Sequence, residues 1–212
     1  CNNKGCNAGA VAEQAILLML MLLRRALEGD RAVREGRQME MKERCMREGL
    51  RELSECRVGL IGFGDIAKAT AQRLAPFGCE VFYNSRHRRS RDEEETFGVT
   101  YLSQEELVSS CDIVSLHCAV TDQTRGMVNA AFLQRMKSTA YLINTARGDL
   151  VDNQALREAL MAGTIAGAGL DTVAPEPVAA DHPLVTMPAP GRDRLVFSPH
   201  LGGITEGSFR RA

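Results

Sequence analysis

A short apolar run that leads directly into a glycine-rich turn is the feature that most constrains this chain. Residues 58–67 read VGLIGFGDIA, the pattern of a buried strand, a turn and the start of a helix. Gly62 permits the tight turn, Gly64 permits close approach of a phosphate to the backbone, and Ala67 permits close packing of helix on strand. A helix N-terminus also offers unpaired N–H groups and the positive end of a dipole. The glycine turn, residues 62–64, therefore predicts a site for the pyrophosphate of a dinucleotide.

From residue 57 onward, short apolar runs alternate with amphipathic segments. The runs predicted as strands are 58–61, 80–84, 99–101, 113–116, 140–144, 168–171 and 195–197. Helices between them are indicated by a capping box from Ser103 to Glu106 and by Asp152, which precedes a periodic apolar segment. Such alternation is typical of βαβ units. We therefore expect an α/β fold with a doubly wound parallel sheet, a Rossmann-like dinucleotide-binding domain.

The residues ahead of this pattern form a different region. Residues 10–27 are hydrophobic on nearly all sides, which predicts a long helix covered on most of its surface. About half of residues 30–55 are charged, which predicts an exposed connector that links domains or subunits. We divide the chain into a helix and arm for interdomain or dimer contacts (1–56), the dinucleotide-binding domain (57–204) and the start of a C-terminal return helix (205–212).

Membrane insertion is not expected. The longest apolar run, 15–23, has about half of the ~20 residues that a membrane-spanning helix requires. Lys4 precedes the run, as in a signal peptide, but Glu13 adjoins it, and Arg24 and Arg25 follow it where small cleavage-site residues belong. We interpret the run as a buried helix.

Charge and cysteine content exclude several classes of protein. The 212 residues include 26 Lys and Arg against 27 Asp and Glu, so no global attraction to nucleic acid is expected. The seven cysteines and four histidines have no metal-site spacing, and scattered cysteines of odd number are typical of reduced thiols. We expect a cytoplasmic protein without a metal. The chain begins at Cys1 rather than Met, which suggests that further sequence precedes it.

The end of the second predicted strand bears on the choice of cofactor. An NAD-selective site usually carries Asp or Glu there, whereas this chain has Ser85 followed by Arg86, Arg88 and Arg89. Loss of the acid removes repulsion of a 2′-phosphate, and a guanidinium can bind one. We therefore expect NADP(H) to be favoured over NAD(H). The alternative is a solvated charged loop, balanced by the acidic residues 92–95.

Three ionisable residues follow the ends of later strands. Arg147, Glu176 and His200 come after the fifth, sixth and seventh predicted strands, and ligands bind at the carboxyl edge of parallel sheets. An arginine can hold a carboxylate and a carbonyl oxygen in a fixed fork, and a histidine can exchange a proton near neutral pH. A carboxylate beside the imidazole would orient it and favour its protonated form. Each residue also has a structural alternative, as a neutralising charge, a turn residue or a cap of the Gly202-Gly203 turn.

The other three histidines receive structural interpretations. His87 is interpreted as a loop charge. His117 is interpreted as a strand-end residue that lines the cofactor cleft, and His182 as a surface-loop residue.

Several ordered motifs carry a resemblance to a known family. They read NAGAVAE at 7–13, GFG at 62–64, DIVSLHC at 112–118, NTARGDLVD at 144–152, GLD at 169–171 and PHLGG at 199–203. Through them the chain resembles the NAD-binding domain of the D-isomer-specific 2-hydroxyacid dehydrogenases nearly from end to end. The resemblance implies that Arg147, Glu176 and His200 bind the substrate and carry out catalysis. The residues expected to contact the cofactor are Gly62, Gly64, Asp65, Ile66, Ser85, Arg86, His117, Cys118, Thr145, Ala146, Asp171, Gly202 and Gly203.

The sequence also departs from the family pattern. Ala67 stands for the usual third glycine, Ala119 stands where the family often has proline, and Ser85 occupies the usual acidic position. The family's substrate domain comes mainly from an upstream segment and a C-terminal return, and neither is in this sequence. The chain therefore looks like one portion of a two-domain enzyme.

The resemblance implies an oxidoreductase that moves hydride between a nicotinamide cofactor and a 2-oxo or 2-hydroxy acid. It also implies a homodimer, formed through this domain by the first helix and the charged arm. The alternative is a non-catalytic, nucleotide-sensing binding protein, because the same family includes transcriptional corepressors. The side chain of the substrate is left open, since the residues that would shape its pocket lie mostly outside this sequence.

Overall fold

The computed structural model describes residues 5–211, which fold around a parallel sheet of seven strands. In chain order the strands are β1 (Arg57–Ile61), β2 (Glu80–Asn84), β3 (Val99–Tyr101), β4 (Ile113–Leu116), β5 (Tyr141–Asn144), β6 (Gly167–Leu170) and β7 (Leu195–Phe197). Their order across the sheet is β3-β2-β1-β4-β5-β6-β7, and all neighbours are parallel. The strand order reverses between β1 and β4, the crevice where such folds bind nucleotides. The predicted doubly wound, Rossmann-like fold is confirmed.

Four strands have the predicted bounds, and the other three differ by one residue at one or both ends. β1 begins at Arg57, β5 begins at Tyr141, and β6 starts and stops one residue before the predicted 168–171. Gly167 pairs with Tyr141 in the ladder. As a glycine, it adds nothing to the apolar pattern from which the strand was predicted.

Helices cover both faces of the sheet. They are α1 (Ala8–Leu23), α2 (Ala26–Arg34), α3 (Gln38–Glu48), α4 (Asp65–Leu74), α5 (Arg91–Phe97), α6 (Gln104–Ser110), α7 (Ala130–Arg135), α8 (Asn153–Ala162) and α9 (Glu206–Arg211), joined in places by short 3₁₀ turns. α1 and α4 pack together on one face, and α6, α7 and α8 cover the other. The predicted capping box is present, since Ser103 Oγ accepts from the Glu106 N–H. Asp152 Oδ1 caps α8 by accepting from the N–H groups of Gln154 and Ala155.

The two faces each contribute an apolar layer to the core. Leu18 and Met19 of α1 pack in one layer with Leu60 of β1. Leu107 of α6 and Leu156 of α8 pack in the other. All five side chains are almost fully buried, and burial of each contributes about 1.5–3 kcal/mol relative to exposure.

The first helix is shorter than the predicted 10–27. α1 ends at Leu23, and Arg25 has a φ of 48°, a left-handed conformation that interrupts the helix before α2 begins. The Arg25 side chain forms an ion pair with Glu48 of α3, with 2.6 Å between Nη1 and Oε2. The charged connector predicted at 30–55 is largely helical, because α2 and α3 occupy most of it. No residue of α3 is buried.

Two negative findings concern residues 5–211. No helix in this range is long and apolar enough to cross a membrane. No group of three His, Cys, Asp or Glu side chains in this range could hold a metal ion. Cys1 and Lys4, on which the expectations about the start of the chain depend, lie outside the described residues.

Candidate dinucleotide and substrate site

The glycine turn lies between the carboxyl ends of β2 and β4. The Gly62 N–H donates to Asn84 O at 2.8 Å, and the His117 N–H donates to Ile61 O at 2.7 Å. Gly62 has a φ of 93°, and a Cβ there would lie 2.7 Å from backbone atoms of His117 and Cys118. Glycine is therefore required at this position. The neighbouring strands fix the turn at the centre of the carboxyl edge of the sheet, called the rim below.

The space in front of the glycine turn fits a pyrophosphate. A Cβ on Gly64 would meet nothing within 4 Å among the described residues. Asp65 and Ile66 then open α4, whose N-terminus has no side-chain cap within residues 5–211. Its first N–H groups are therefore available to an anion. Ala67 is fully buried where α4 packs on the sheet, which is the close approach that its small side chain permits.

Three buried polar atoms after the ends of β4, β5 and β6 have no hydrogen-bond partner in the described part of the chain. They are His117 Nδ1, Thr145 Oγ1 and Thr172 Oγ1. A buried polar group without a partner costs about 1–3 kcal/mol. A bound molecule with donors and acceptors along the rim would recover this free energy. The residues present thus fit a dinucleotide at this edge.

The ribose loop, residues 85–90, follows β2. Ser85 Oγ donates to His87 O at 2.6 Å, which closes the start of the loop. Arg86 is exposed and makes no hydrogen bond or ion pair within residues 5–211. No carboxylate stands at the end of β2, so a group bound there would meet a hydroxyl and an available guanidinium.

The other two arginines of the ribose loop bind the protein itself, whereas the sequence analysis treated all three as candidates for a 2′-phosphate. Arg88 Nε donates to Glu94 Oε1 at 2.9 Å, and Arg89 Nη2 donates to Phe63 O at 2.8 Å. The alternative interpretation, in which acidic residues 92–95 balance the charge of the loop, therefore holds for Arg88. The Arg89 N–H also donates to Tyr83 Oη at 2.7 Å. Tyr83, Phe63 and Glu94 are functional candidates that sequence reasoning missed.

His117, at the end of β4, is largely enclosed. Its Nε2 lies 2.9 Å from Ser115 Oγ, and burial lowers the pKa of His117 to about 4. The imidazole is therefore neutral at physiological pH. Burial also raises the pKa of the Cys118 thiol, which stays protonated. Both residues present uncharged groups beside the glycine turn.

Asn144 shapes the turn that carries Arg147. The buried Asn144 amide accepts from the Ala146 N–H at 3.0 Å and donates to Arg147 O at 2.9 Å. The exposed Arg147 guanidinium donates to Ala146 O at 2.6 Å. A Cβ on Gly148 would lie 2.1 Å from Ala174 N, so the Arg147 turn packs directly on the segment that follows β6.

Asp171 anchors the loop that carries His200. Its carbonyl accepts from the His200 N–H at 2.8 Å, and its carboxylate accepts from the N–H groups of Leu201 at 3.0 Å and Gly202 at 2.9 Å. His200 has a φ of 58°, a conformation that costs about 1–3 kcal/mol for such a residue and that its surroundings must hold. Both carboxylate oxygens of Asp171 therefore stabilise the loop, which continues through Gly202 to Gly203.

The structure brings Glu176 and His200 into contact. His200 Nδ1 lies 3.0 Å from both carboxylate oxygens of Glu176, and each side chain is 46% exposed. His200 Nε2 makes no hydrogen bond within residues 5–211, so it can exchange a proton with a ligand. Arg147 lies on the same rim, two strands away from His200 in the sheet, and makes no hydrogen bond or ion pair with His200 or Glu176 in the described structure.

His182 was expected on a surface loop, and this expectation is wrong. The residue is 7% exposed, and its Nδ1 accepts from the Leu184 N–H at 3.3 Å. Its Nε2 lies 3.3 Å from Ala174 O, and Asn153 Nδ2 donates to the same carbonyl at 2.6 Å. His182 thus helps to hold the segment that leads to Glu176. A polar stretch beside proline carries no sequence signal for such burial.

Together the fold and the rim define a dinucleotide-binding domain of the dehydrogenase type. The family model for the D-isomer specific 2-hydroxyacid dehydrogenase NAD binding domain matches residues 16–202. The chain belongs to this family, and the resemblance found in its motifs is confirmed.

Individual relatives agree with this assignment. The glyoxylate reductase of Korarchaeum cryptofilum is 38% identical over 210 residues, which are 99% of this chain and 61% of that protein. A formate dehydrogenase from Granulicella superposes with a TM-score of 0.88 at 32% identity, over 97% of this chain and 53% of that one. The NAD-complexed D-isomer specific 2-hydroxyacid dehydrogenase of Lactobacillus delbrueckii superposes with a TM-score of 0.79 at 32% identity, over 96% of this chain and 62% of that one. The chain thus spans roughly half to three fifths of the length of these relatives.

Proposed function

We propose that this chain supplies the cofactor domain of an enzyme that interconverts 2-oxo acids and D-2-hydroxy acids with NAD(P)(H). The observation that carries the proposal is the contact between His200 and Glu176 on the rim that also holds Arg147 and the glycine turn. A non-catalytic nucleotide sensor has no need of an imidazole paired with a carboxylate at this place. The similarity to a glyoxylate reductase also supports catalysis.

Arg147 is the proposed substrate-binding residue. Its guanidinium is exposed at the rim, and its backbone is held by the buried Asn144 amide. A guanidinium can bind a carboxylate through two charge-assisted hydrogen bonds, each contributing about 1.5–3 kcal/mol. A small 2-oxo acid offers such a carboxylate next to its reactive carbonyl, so Arg147 would set the orientation of C2.

His200 is the proposed proton donor for reduction. When bound, the nicotinamide supplies the hydride that adds to C2 of the 2-oxo acid. His200 Nε2 gives its proton to the oxygen on C2, and the substrate leaves as the 2-hydroxy acid. Glu176 holds Nδ1, so it orients the ring with Nε2 directed to the ligand. In the oxidative direction the neutral imidazole takes the hydroxyl proton.

For the cofactor we propose a preference for NADP(H). The end of β2 offers Ser85 and the unengaged Arg86, while the nearest buried carboxylate, Glu94, is committed to Arg88. A 2′-phosphate there would meet a positive group and no competing acid.

A homodimer through α1, α2 and α3 is also proposed. Six of the thirteen large apolar side chains that are exposed in the described chain lie between residues 17 and 50, where a second copy of the domain would cover them. They are Leu17, Leu27, Val33, Met39, Met46 and Leu50. The cytoplasmic location stays a prediction.

The proposal is tested by following the absorbance of NADPH and NADH at 340 nm with the product of the complete reading frame that encodes this chain. Glyoxylate, pyruvate, hydroxypyruvate and a bulkier 2-oxo acid are the substrates. We expect oxidation of the cofactor with at least one of them, and D-2-hydroxy acid as the product on chiral chromatography. Tight nucleotide binding without turnover of any of the four would contradict catalysis and favour the sensor.

A further inference from the structure

Glu94 is unlike its acidic neighbours in α5. It is 8% exposed, whereas Asp92 and Glu95 are exposed. Its Oε1 accepts from Tyr83 Oη at 2.8 Å, and its two oxygens accept from Arg88 Nε at 2.9 Å and Nη2 at 3.0 Å. The fork of Arg88 is therefore filled by a carboxylate that is itself nearly removed from solvent.

Tyr83 connects this carboxylate to the glycine turn. Its buried ring lies 4.4 Å from the Phe63 ring between centroids, and its hydroxyl accepts from the Arg89 N–H at 2.7 Å. The Arg89 guanidinium in turn donates to Phe63 O at 2.8 Å, so Arg89 contacts both Tyr83 and the glycine turn. One contiguous set of contacts thus joins the ribose loop to the turn that faces the pyrophosphate.

Burying a carboxylate is costly unless the group is paired and fully hydrogen-bonded. Glu94 meets this condition through Arg88 and Tyr83, and these two partners hold the pKa of Glu94 below its usual value. The contacts fix the ribose loop at Arg88 and Arg89, while Arg86 within the same loop keeps its guanidinium available. The arrangement separates a held part of the loop from a ligand-binding part.

We propose that Glu94 is a positioning residue for the adenosine end of the cofactor, which with Tyr83 and Arg88 holds the ribose loop so that Arg86 is presented to a 2′-phosphate from a fixed backbone. The inference rests on the proposed NADP(H) preference and adds to it the residues that make the preference possible. Without Glu94 the loop would have to be ordered when the nucleotide binds. Ordering of a few side chains reduces affinity by about threefold to tenfold.

The test is calorimetric titration of the 212-residue chain with 2′,5′-ADP and with 5′-AMP, which differ by the 2′-phosphate. Glu94→Gln keeps the size of the side chain and removes its charge. Glu95→Gln is the matched control, because it removes the same charge from an exposed i,i+4 pair with Arg91 on the same helix. We expect Glu94→Gln to weaken 2′,5′-ADP by about threefold to tenfold, to change 5′-AMP by much less, and Glu95→Gln to change neither.

Arg88→Met and Tyr83→Phe provide independent readouts should Glu94→Gln fold poorly. Arg88→Met removes the guanidinium that pairs with Glu94, whereas Glu94→Gln leaves that guanidinium in place without a charged partner. Tyr83→Phe removes only the hydroxyl that accepts from the Arg89 N–H. Each should lower the preference for 2′,5′-ADP over 5′-AMP. If the folded variants keep the wild-type preference for 2′,5′-ADP over 5′-AMP, the inference is overturned. Tighter binding of 2′,5′-ADP by Glu94→Gln would also overturn it, because Arg88 would then be a phosphate ligand that Glu94 holds away from the phosphate. Failure of the wild-type chain to bind NADH, NADPH or either probe would instead contradict the proposed function.

Discussion

The imidazole of His200 contacts the carboxylate of Glu176 through Nδ1, at 3.0 Å from both oxygens. The two residues are separated by β7 and reach each other only because their loops leave neighbouring strands at the same rim. Asp171 holds the His200 backbone in its left-handed conformation by accepting its N–H. His200 is thus held at its backbone by Asp171 and at Nδ1 by Glu176, with Nε2 left for a ligand.

Replacement of His200 by Ala should remove the proton donor. In the product of the complete reading frame we expect kcat for 2-oxo acid reduction to fall by roughly 10²–10⁴. The affinity for NADPH should change little, because the glycine turn and the ribose loop lie at other strands. Steady-state kinetics and a nucleotide titration measure the two effects. A near-normal kcat would exclude His200 from proton transfer.

Replacement of Glu176 by Gln should act through His200. The amide keeps a hydrogen-bond acceptor for His200 Nδ1 but removes the negative charge from the contact, which weakens its hold on the ring. We expect kcat for reduction to fall by less than for His200→Ala, with little change in the affinity for NADPH. Asp181→Asn, at an exposed position in the same segment, is the control. A kcat in Glu176→Gln equal to that of wild type would separate the two residues functionally.

The double change Ser85→Asp with Arg86→Ala should move the cofactor preference toward NADH. One guanidinium–phosphate contact contributes about 1.5–3 kcal/mol, which corresponds to roughly ten- to hundredfold in affinity. We expect the wild-type chain to bind NADPH about tenfold more tightly than NADH at low salt, with a smaller difference at high salt. Arg91→Ala removes a nearby exposed charge and is the control. Equal dissociation constants for NADPH and NADH at low salt would show that the lack of an acid at position 85 does not favour NADPH.

His117 should make stability depend on pH. Its pKa is lowered to about 4 in the folded chain, against about 6.5 when unfolded. Between these values the unfolded chain binds a proton that the folded chain does not, so stability falls as pH drops from about 6.5 to about 4. The advantage of wild type is its free energy of unfolding minus that of His117→Gln. We expect this difference to be about 1–2 kcal/mol smaller at pH 5 than at pH 7.5. Urea denaturation at both pH values measures this, with the exposed His87→Gln as control. An advantage that does not change with pH would contradict a buried neutral imidazole.

The sequence predicts the sheet well because each strand is a short apolar run in a domain buried on both faces. It predicts the rim residues because parallel strands place their carboxyl ends together, which brings Arg147, Glu176 and His200 to one edge. The burial of a charged side chain and its hydrogen-bond partners are harder to predict from the sequence. Glu94 sits in an acidic run that looks solvated, and only Phe97, three residues later, indicates that this helix face turns inward.

Conformational breaks are also hard to predict from the sequence. Arg25, where the first helix is interrupted, forms an ion pair with Glu48, and Asp171 anchors the loop of His200. Both contacts join residues distant in the chain. Neither pattern nor spacing encodes them, so the end of the first helix and the contacts of Asp171 with the His200 loop appear only in the folded structure.

The measurement that tests the account most directly is calorimetric titration of the 212-residue chain with NADPH and NADH, on wild type and on Gly64→Val. The side chain added at Gly64 enters open space, so the variant should fold. It would occupy the volume proposed for the pyrophosphate, at a cost of about 1–3 kcal/mol in binding. We expect saturable one-site binding by wild type and much weaker binding by Gly64→Val, with equal thermal stability. A folded wild-type chain that binds neither nucleotide, or a Gly64→Val chain that binds as well as wild type, would contradict the assignment of this rim as the dinucleotide site.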